Sequence, residues 1–137
     1  MKVFISHAFT DTKLAKRVAD ALREAGFQVW DDTQLLPGEN WAESLGKALD
    51  ESDAMVVLLT PSSVHASNIA YEVGYALGKQ EYKDRLIPVL AAPSEQFGSG
   101  EIPWVFNLQQ FQMIRVPNLE EDEEGLRKIT QALKAVA

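Results

Sequence analysis

The sequence predicts an α/β fold in which a parallel sheet is covered by helices on both faces. Three observations carry that expectation. Short apolar runs alternate with amphipathic segments about five times along the 137 residues, as repeated strand-helix units do. The central runs, AMVVLLT at 54–60 and LIPVL at 86–90, are apolar on both alternating faces, so they lack a solvent side. No internal repeat, low-complexity segment or linker interrupts the chain. Its 46% hydrophobic content can fill one core, and residues 1–137 are expected to form a single domain.

The elements follow in order. Val3, Phe4 and Ile5 open the chain as a strand. Asp11 stands as the N-cap of a helix with Leu14, Ala15, Val18, Ala19, Leu22 and Ala25 at helical spacing, and Gly26 ends it. Phe27 to Trp30 is a second strand, and DDTQLLPGEN, residues 31–40, carries the Pro37-Gly38 turn signal. Asn40 and Glu43 form a capping box for a helix to about Asp50. The third strand leads through Pro61, Ser62 and Ser63 into a helix containing SNIAYEVGYALGK, residues 67–79. The fourth strand is Leu86 to Leu90. A loop from Ala91 to Asn107, long enough to be mobile, precedes a last strand from Phe111 to Val116. The closing helix starts near Leu119, acidic from Glu120 to Glu124 with Lys128 and Lys134 later, which complements the helix dipole.

Composition removes several function classes. Twenty acidic against 13 basic side chains give a net charge of -7, and no basic run offers a footprint for phosphate backbone, so nucleic acid is not expected as a partner. Without cysteine there are no disulfides or thiolate metal sites, and His7 and His65 alone do not make a histidine-rich metal site. The longest apolar run, Ala54 to Leu59, is far short of a membrane span, and no signal peptide is visible. No membrane partner and a cytoplasmic location are expected. Gly98-Ser99-Gly100 follows no opening strand and is no dinucleotide fingerprint, and Ser44 and Ser62 have no histidine-acid partner at recognisable spacing.

In a parallel sheet of this kind ligands bind beyond the carboxyl ends of the strands. Three segments reach that edge: Ser6 to Asp11, Asp31 to Asn40, and Thr60 to Glu72. Glu72 interrupts an apolar helix. On a helical wheel it heads a polar stripe with His65, Asn68 and Lys79, opposite Ile69, Ala70, Val73, Gly74 and Leu77. The stripe either faces water or meets a ligand. Gly74 and Gly78 cost helix stability, and with Ala70 they are read as a smooth strip pressing the helix onto the sheet. Ser6 and His7 at the end of the first strand are either caps or ligand contacts.

VFISHAFTD at 3–11, LLPGENW at 35–41 and SSVHASNIAYE at 62–72 together resemble the Toll/interleukin receptor (TIR) domain of bacterial type, in the family's order and over nearly the whole chain. The resemblance implies a flavodoxin-like, doubly wound sheet of five parallel strands. It also implies a choice of roles. One is an NAD+ glycohydrolase or cyclase of bacterial antiphage immune signalling. The other is a module that binds itself or other TIR domains through the 31–40 loop. In the enzymatic role Glu72 takes the place of the catalytic glutamate. Substrate contacts then come from Ser6, His7, Ala8 and Phe9, from Asp32, Leu36, Pro37 and Gly38, and from Ser62 and Asn68. Departures from the family pattern are Asn68 where enzymatic members often have tryptophan, Asp31 and Asp32 in place of the loop arginine, and no recognisable late Phe-Trp box. NIAYEVGYALGK is also similar to the E-x-G-Y-A helix of nucleoside deoxyribosyltransferases, a third reading.

A lone carboxylate suits the first role. Ordinary glycosidases need a paired acid because an alkoxide leaves poorly, whereas the cationic nicotinamide of NAD+ departs as a neutral ring. Glu72 would then stabilise charge developing at ribose C1′, Phe9 would stack on the leaving ring, and the 31–40 loop would act as a lid. NAD+ is the substrate in this reading, with no cofactor and no metal.

Overall fold

In the computed structural model the described residues are 1–8, 11–30, 41–60, 67–78, 85–90, 114–115 and 123–136. Strands and helices alternate: β1 (Lys2–Ser6), α1 (Thr12–Glu24), β2 (Gln28–Trp30), α2 (Trp41–Glu51), β3 (Ala54–Leu59), α3 (Ser67–Leu77), β4 (Leu86–Leu90), β5 (Ile114–Arg115) and α4 (Glu123–Val136). All strand pairs are parallel, in the order β2-β1-β3-β4-β5. Four strands of three to six residues make the body of the sheet. The last expected strand, Phe111 to Val116, is represented among the described residues only by the two-residue pairing of β5 with β4. The start expected for the last helix near Leu119, the capping residue Asn40 and the loop from Ala91 to Asn107 lie outside the described residues.

Strand alternation sorts the core into two layers. Val3, Ile5, Val56, Leu58, Ile87 and Val89 meet Leu14, Val18 and Leu22 of α1 and Ile129 and Leu133 of α4. Phe4, Met55, Val57, Leu59, Leu86 and Leu90 meet Leu45 and Leu49 of α2 and Ile69, Val73 and Ala76 of α3. Every side chain of β3 is buried, which accounts for the absence of a polar alternate in AMVVLL. Each large apolar side chain so buried contributes about 1.5–3 kcal/mol. Phe4 also stacks on Trp30, with ring centroids 5.1 Å apart.

Pro88 sits in this sheet at a low cost. Met55 N donates to Arg85 O, so alternate positions of β4 from Arg85 onward turn their backbone groups to β3. Pro88 falls on the other set. Its missing N–H therefore removes a rung only toward β5, the shorter ladder.

Helix ends follow local chemistry. After α1, Gly26 has φ 97°, with Gly26 N donating to Arg23 O and Phe27 N to Leu22 O, the paired bonds of a Schellman stop. The amino edge of the sheet is tied by Asp53 N to Lys2 O at 2.8 Å, Lys2 N to Asp53 Oδ2 at 3.0 Å, and Arg85 Nε to the Val136 carbonyl at 3.1 Å.

Two expectations about α3 are corrected. Gly74 and Gly78 do not seat the helix on the sheet: both are exposed, and a Cβ at Gly74 would meet nothing within 4 Å. The helix instead packs through Ile69, Glu72, Val73 and Ala76. Glu72 therefore shares a face with Ile69 and Val73 rather than opposing them, and Leu77 is 48% exposed. The wheel misassigned the buried arc because it took the glycines as apolar contacts.

The two glycines predict opposite signs. Gly26→Ala places a Cβ in the left-handed region and should cost about 1–2 kcal/mol. Gly74→Ala removes a helix-interior glycine from open space and should stabilise by up to about 1 kcal/mol. Thermal unfolding of both variants checks this, and a fall in Tm for Gly74→Ala would contradict the exposure of that face.

Candidate active site

Strand order reverses about β1. The chain goes from β1 outward to β2, then returns past β1 to β3, so the segments after β1 and β3 part toward opposite faces of the sheet. Such a point opens a crevice at the carboxyl edge. Ser6, His7 and Ala8 stand on one side of it and Thr60 on the other, with α3 beginning at Ser67.

Ser6 closes β1 two residues beyond Phe4, and so faces the layer of α2 and α3, the layer that also receives Ala8. Ser6 is fully buried, and its Oγ makes no hydrogen bond among the described residues. The His7 ring is 2% exposed, and Nδ1 lies 2.8 Å from the Ala8 carbonyl. A carbonyl only accepts, so Nδ1 carries a proton and Nε2 of the neutral ring holds the lone pair. Glu72, on the sheet-facing side of α3, is 3% exposed, and its Oε2 is shielded from solvent. Since α3 packs on β1 and β3, Ser6 and Glu72 occupy one layer behind the crevice.

Asp11 corrects a sequence expectation. It occupies the N-cap position of α1, yet its side chain makes no cap hydrogen bond. Asp11 Oδ2 instead accepts from Thr60 Oγ1 at 2.7 Å, linking two residues 49 apart in sequence across the crevice. Its backbone N donates to Ala8 O at 2.9 Å, closing the turn after β1. Thr60 opened a segment of interest in the sequence but was not singled out. Its position directly after a wholly apolar strand was the available signal.

Residues 3–130 match the family model described as TIR domain. This chain belongs to the TIR domain family. This TIR domain is 30% identical over 79 residues to the 2' cyclic ADP-D-ribose synthase BtTIR of Bacteroides thetaiotaomicron, a match covering 56% of this chain and 28% of that protein. The match thus spans under a third of that relative's length. Among solved structures it is similar to a metazoan TIR-STING receptor from C. gigas, with TM-score 0.74, 23% identity, and coverage of 96% of this chain and 38% of that one. The TIR domain of the Toll-related receptor TRR-2 from Hydra magnipapillata gives TM-score 0.73 and 19% identity, covering 96% and 97% of the two chains. These likenesses show the α/β fold with a parallel sheet and helices.

In this TIR domain Ser6, His7 and Ala8 are each buried at the end of β1, Glu72 is buried on α3, and Asn68 lies in the first turn of α3. Phe9, Asp32, Leu36, Pro37, Gly38 and Ser62 lie outside the described residues, as do His65 and the whole 31–40 loop. Among the described residues no group of three or more His, Asp or Glu side chains could hold a metal, and no helix is long and apolar enough to cross a membrane. A groove of about 670 Å³ between α1 and α4 lies on the other face of the sheet from Glu72. Its Arg17 and Arg127 are offset by Asp20, Glu24 and Glu123, so it has no net attraction for a phosphate.

A buried hydroxyl with no partner among the described residues adds little to folding, and removing it relieves a desolvation cost of about 1–3 kcal/mol. Ser6→Ala should therefore unfold at the wild-type Tm or above it. A clear fall in Tm would show that the Ser6 hydroxyl is a structural bond.

Proposed function

We propose that this TIR domain cleaves the bond between nicotinamide and ribose C1′ of NAD+, with Glu72 as the catalytic carboxylate. The observation that carries the reading is a carboxylate held 3% exposed on the sheet-facing side of α3, in the layer of Ser6 at the crevice. Removing a carboxylate from water costs several kcal/mol, and a fold keeps one there where its charge has a use. The name of BtTIR, a cyclic ADP-D-ribose synthase, supports the same chemistry.

The chemistry follows from the leaving group. As the C1′–N bond breaks, its electron pair stays with nicotinamide, which leaves neutral and needs no acid. Positive charge develops on C1′ and the ring oxygen. A carboxylate beside that centre, away from water, stabilises the charge more than it would in bulk solvent. Capture of C1′ by water, with loss of a proton, gives ADP-ribose, and capture by a hydroxyl of the same molecule gives a cyclic product. Ser6 Oγ, His7 and Ala8 form the strand side of the proposed site. Phe9 would stack on nicotinamide, and Asp32, Leu36, Pro37, Gly38, Ser62 and Asn68 are the proposed contacts from the other two segments. NAD+ is the substrate, and no cofactor is assigned. Self-association through the 31–40 loop is the proposed partner interaction.

Nicotinamide release from NAD+, followed by chromatography at high protein concentration, tests this. Glu72→Gln should lower kcat by about 10²–10³-fold, the scale for loss of one electrostatic stabiliser, with no loss of Tm. Wild-type turnover in that variant overturns the assignment and leaves an interaction module.

A further inference from the structure

We propose that Asp11 and Thr60 form a positioning pair that sets the crevice between the β1 and β3 ends and thereby the placement of α3, with Glu72, against bound substrate. The inference rests on the reading of Glu72 given above.

Asp11 is built for a helix cap and is used for something else. Aspartate at an N-cap normally accepts from the first free N–H groups of its own helix. Here that acceptor is withdrawn from α1 and spent on a hydroxyl 49 residues away at 2.7 Å, the short distance of a charge-assisted bond. The Asp11 backbone is anchored as well. Ala8 is packed in the core, Asp11 N is held by Ala8 O at 2.9 Å, and α1 starts at the next residue.

On the other side, Thr60 is 7% exposed and continues directly from β3, and six residues, 61–66, separate it from α3. The bond thus joins the two segments that diverge at the strand-order reversal. Among the described residues β1 and β3 are last in register at Ser6 and Val57, so the bond lies beyond the end of that ladder. Three further residues of β3 and its end, Leu58 to Thr60, run past that final rung toward the crevice. Loss of the Asp11 carboxylate removes this link between the two segments, and a shift of about 1 Å at a reacting centre costs up to about a hundredfold in rate.

Thr60→Val keeps the shape of the side chain and removes its donor, and Thr60→Ser restores the donor. The account expects kcat for nicotinamide release to fall about tenfold in Thr60→Val with KM changed less than about twofold, and to recover in Thr60→Ser. Asp11→Asn combined with Thr60→Val should be no slower than Thr60→Val alone, as expected of partners in one bond. Multiplying losses in the double variant, or full activity in Thr60→Val, overturn the pair. Amide hydrogen exchange of 69–76 in α3 provides an arm independent of turnover: it should quicken in Thr60→Val and return in Thr60→Ser. If the wild-type protein releases no nicotinamide, the functional reading fails and that exchange pattern alone decides the pair, unchanged exchange refuting it.

Discussion

A parallel sheet whose strand order reverses must send the helices on either side of the reversal to opposite faces, and the rest of this molecule depends on that constraint. At β1 and β3 the chain divides, α1 toward one layer and α3 toward the other. The backbone cannot fill the space between them. A crevice remains at the carboxyl edge, floored by strand ends that are buried on both faces. Ser6, His7 and Thr60 at those strand ends are all buried.

Glu72 is buried on the face of α3 that meets the sheet. The carboxylate stands at one flank of the α3 contact surface, while Ile69, Val73 and Ala76 supply the apolar burial that fixes the helix. Stability comes from two apolar cores. The amino edge of the sheet is closed by the Lys2–Asp53 and Arg85–Val136 ties. The Asp11–Thr60 bond is a tertiary link at the other end, beyond the carboxyl ends of β1 and β3.

Much of the fold was legible because its signals are local and redundant. The apolar run of β3, the helical spacing of Leu14, Val18 and Leu22, and the terminating Gly26 each point to one conformation, and the structure agrees. Two features were misread for a shared reason. Gly74 and Gly78 were taken as a packing strip, and Asp11 as a plain cap, because both readings consider a helix alone. Which face of α3 meets the sheet is decided by Ile69, Val73 and Ala76 together, and the partner of Asp11 is set by strand register. Long-range pairing of that kind leaves no periodicity in the sequence. The place of Glu72 on α3 was legible in the sequence, but its burial on the same face as Ile69 and Val73 was not.

The central claim is that the Glu72 carboxylate acts on the charge that develops at C1′, not on the ground state of the substrate. Calorimetric affinity of Glu72→Gln for NAD+, set beside its kcat, measures this directly, since only interactions stronger in the transition state accelerate the chemical step. The account predicts that affinity changes by less than about threefold while turnover is nearly abolished. A loss of affinity equal to the loss of turnover would contradict it and make Glu72 a binding residue alone.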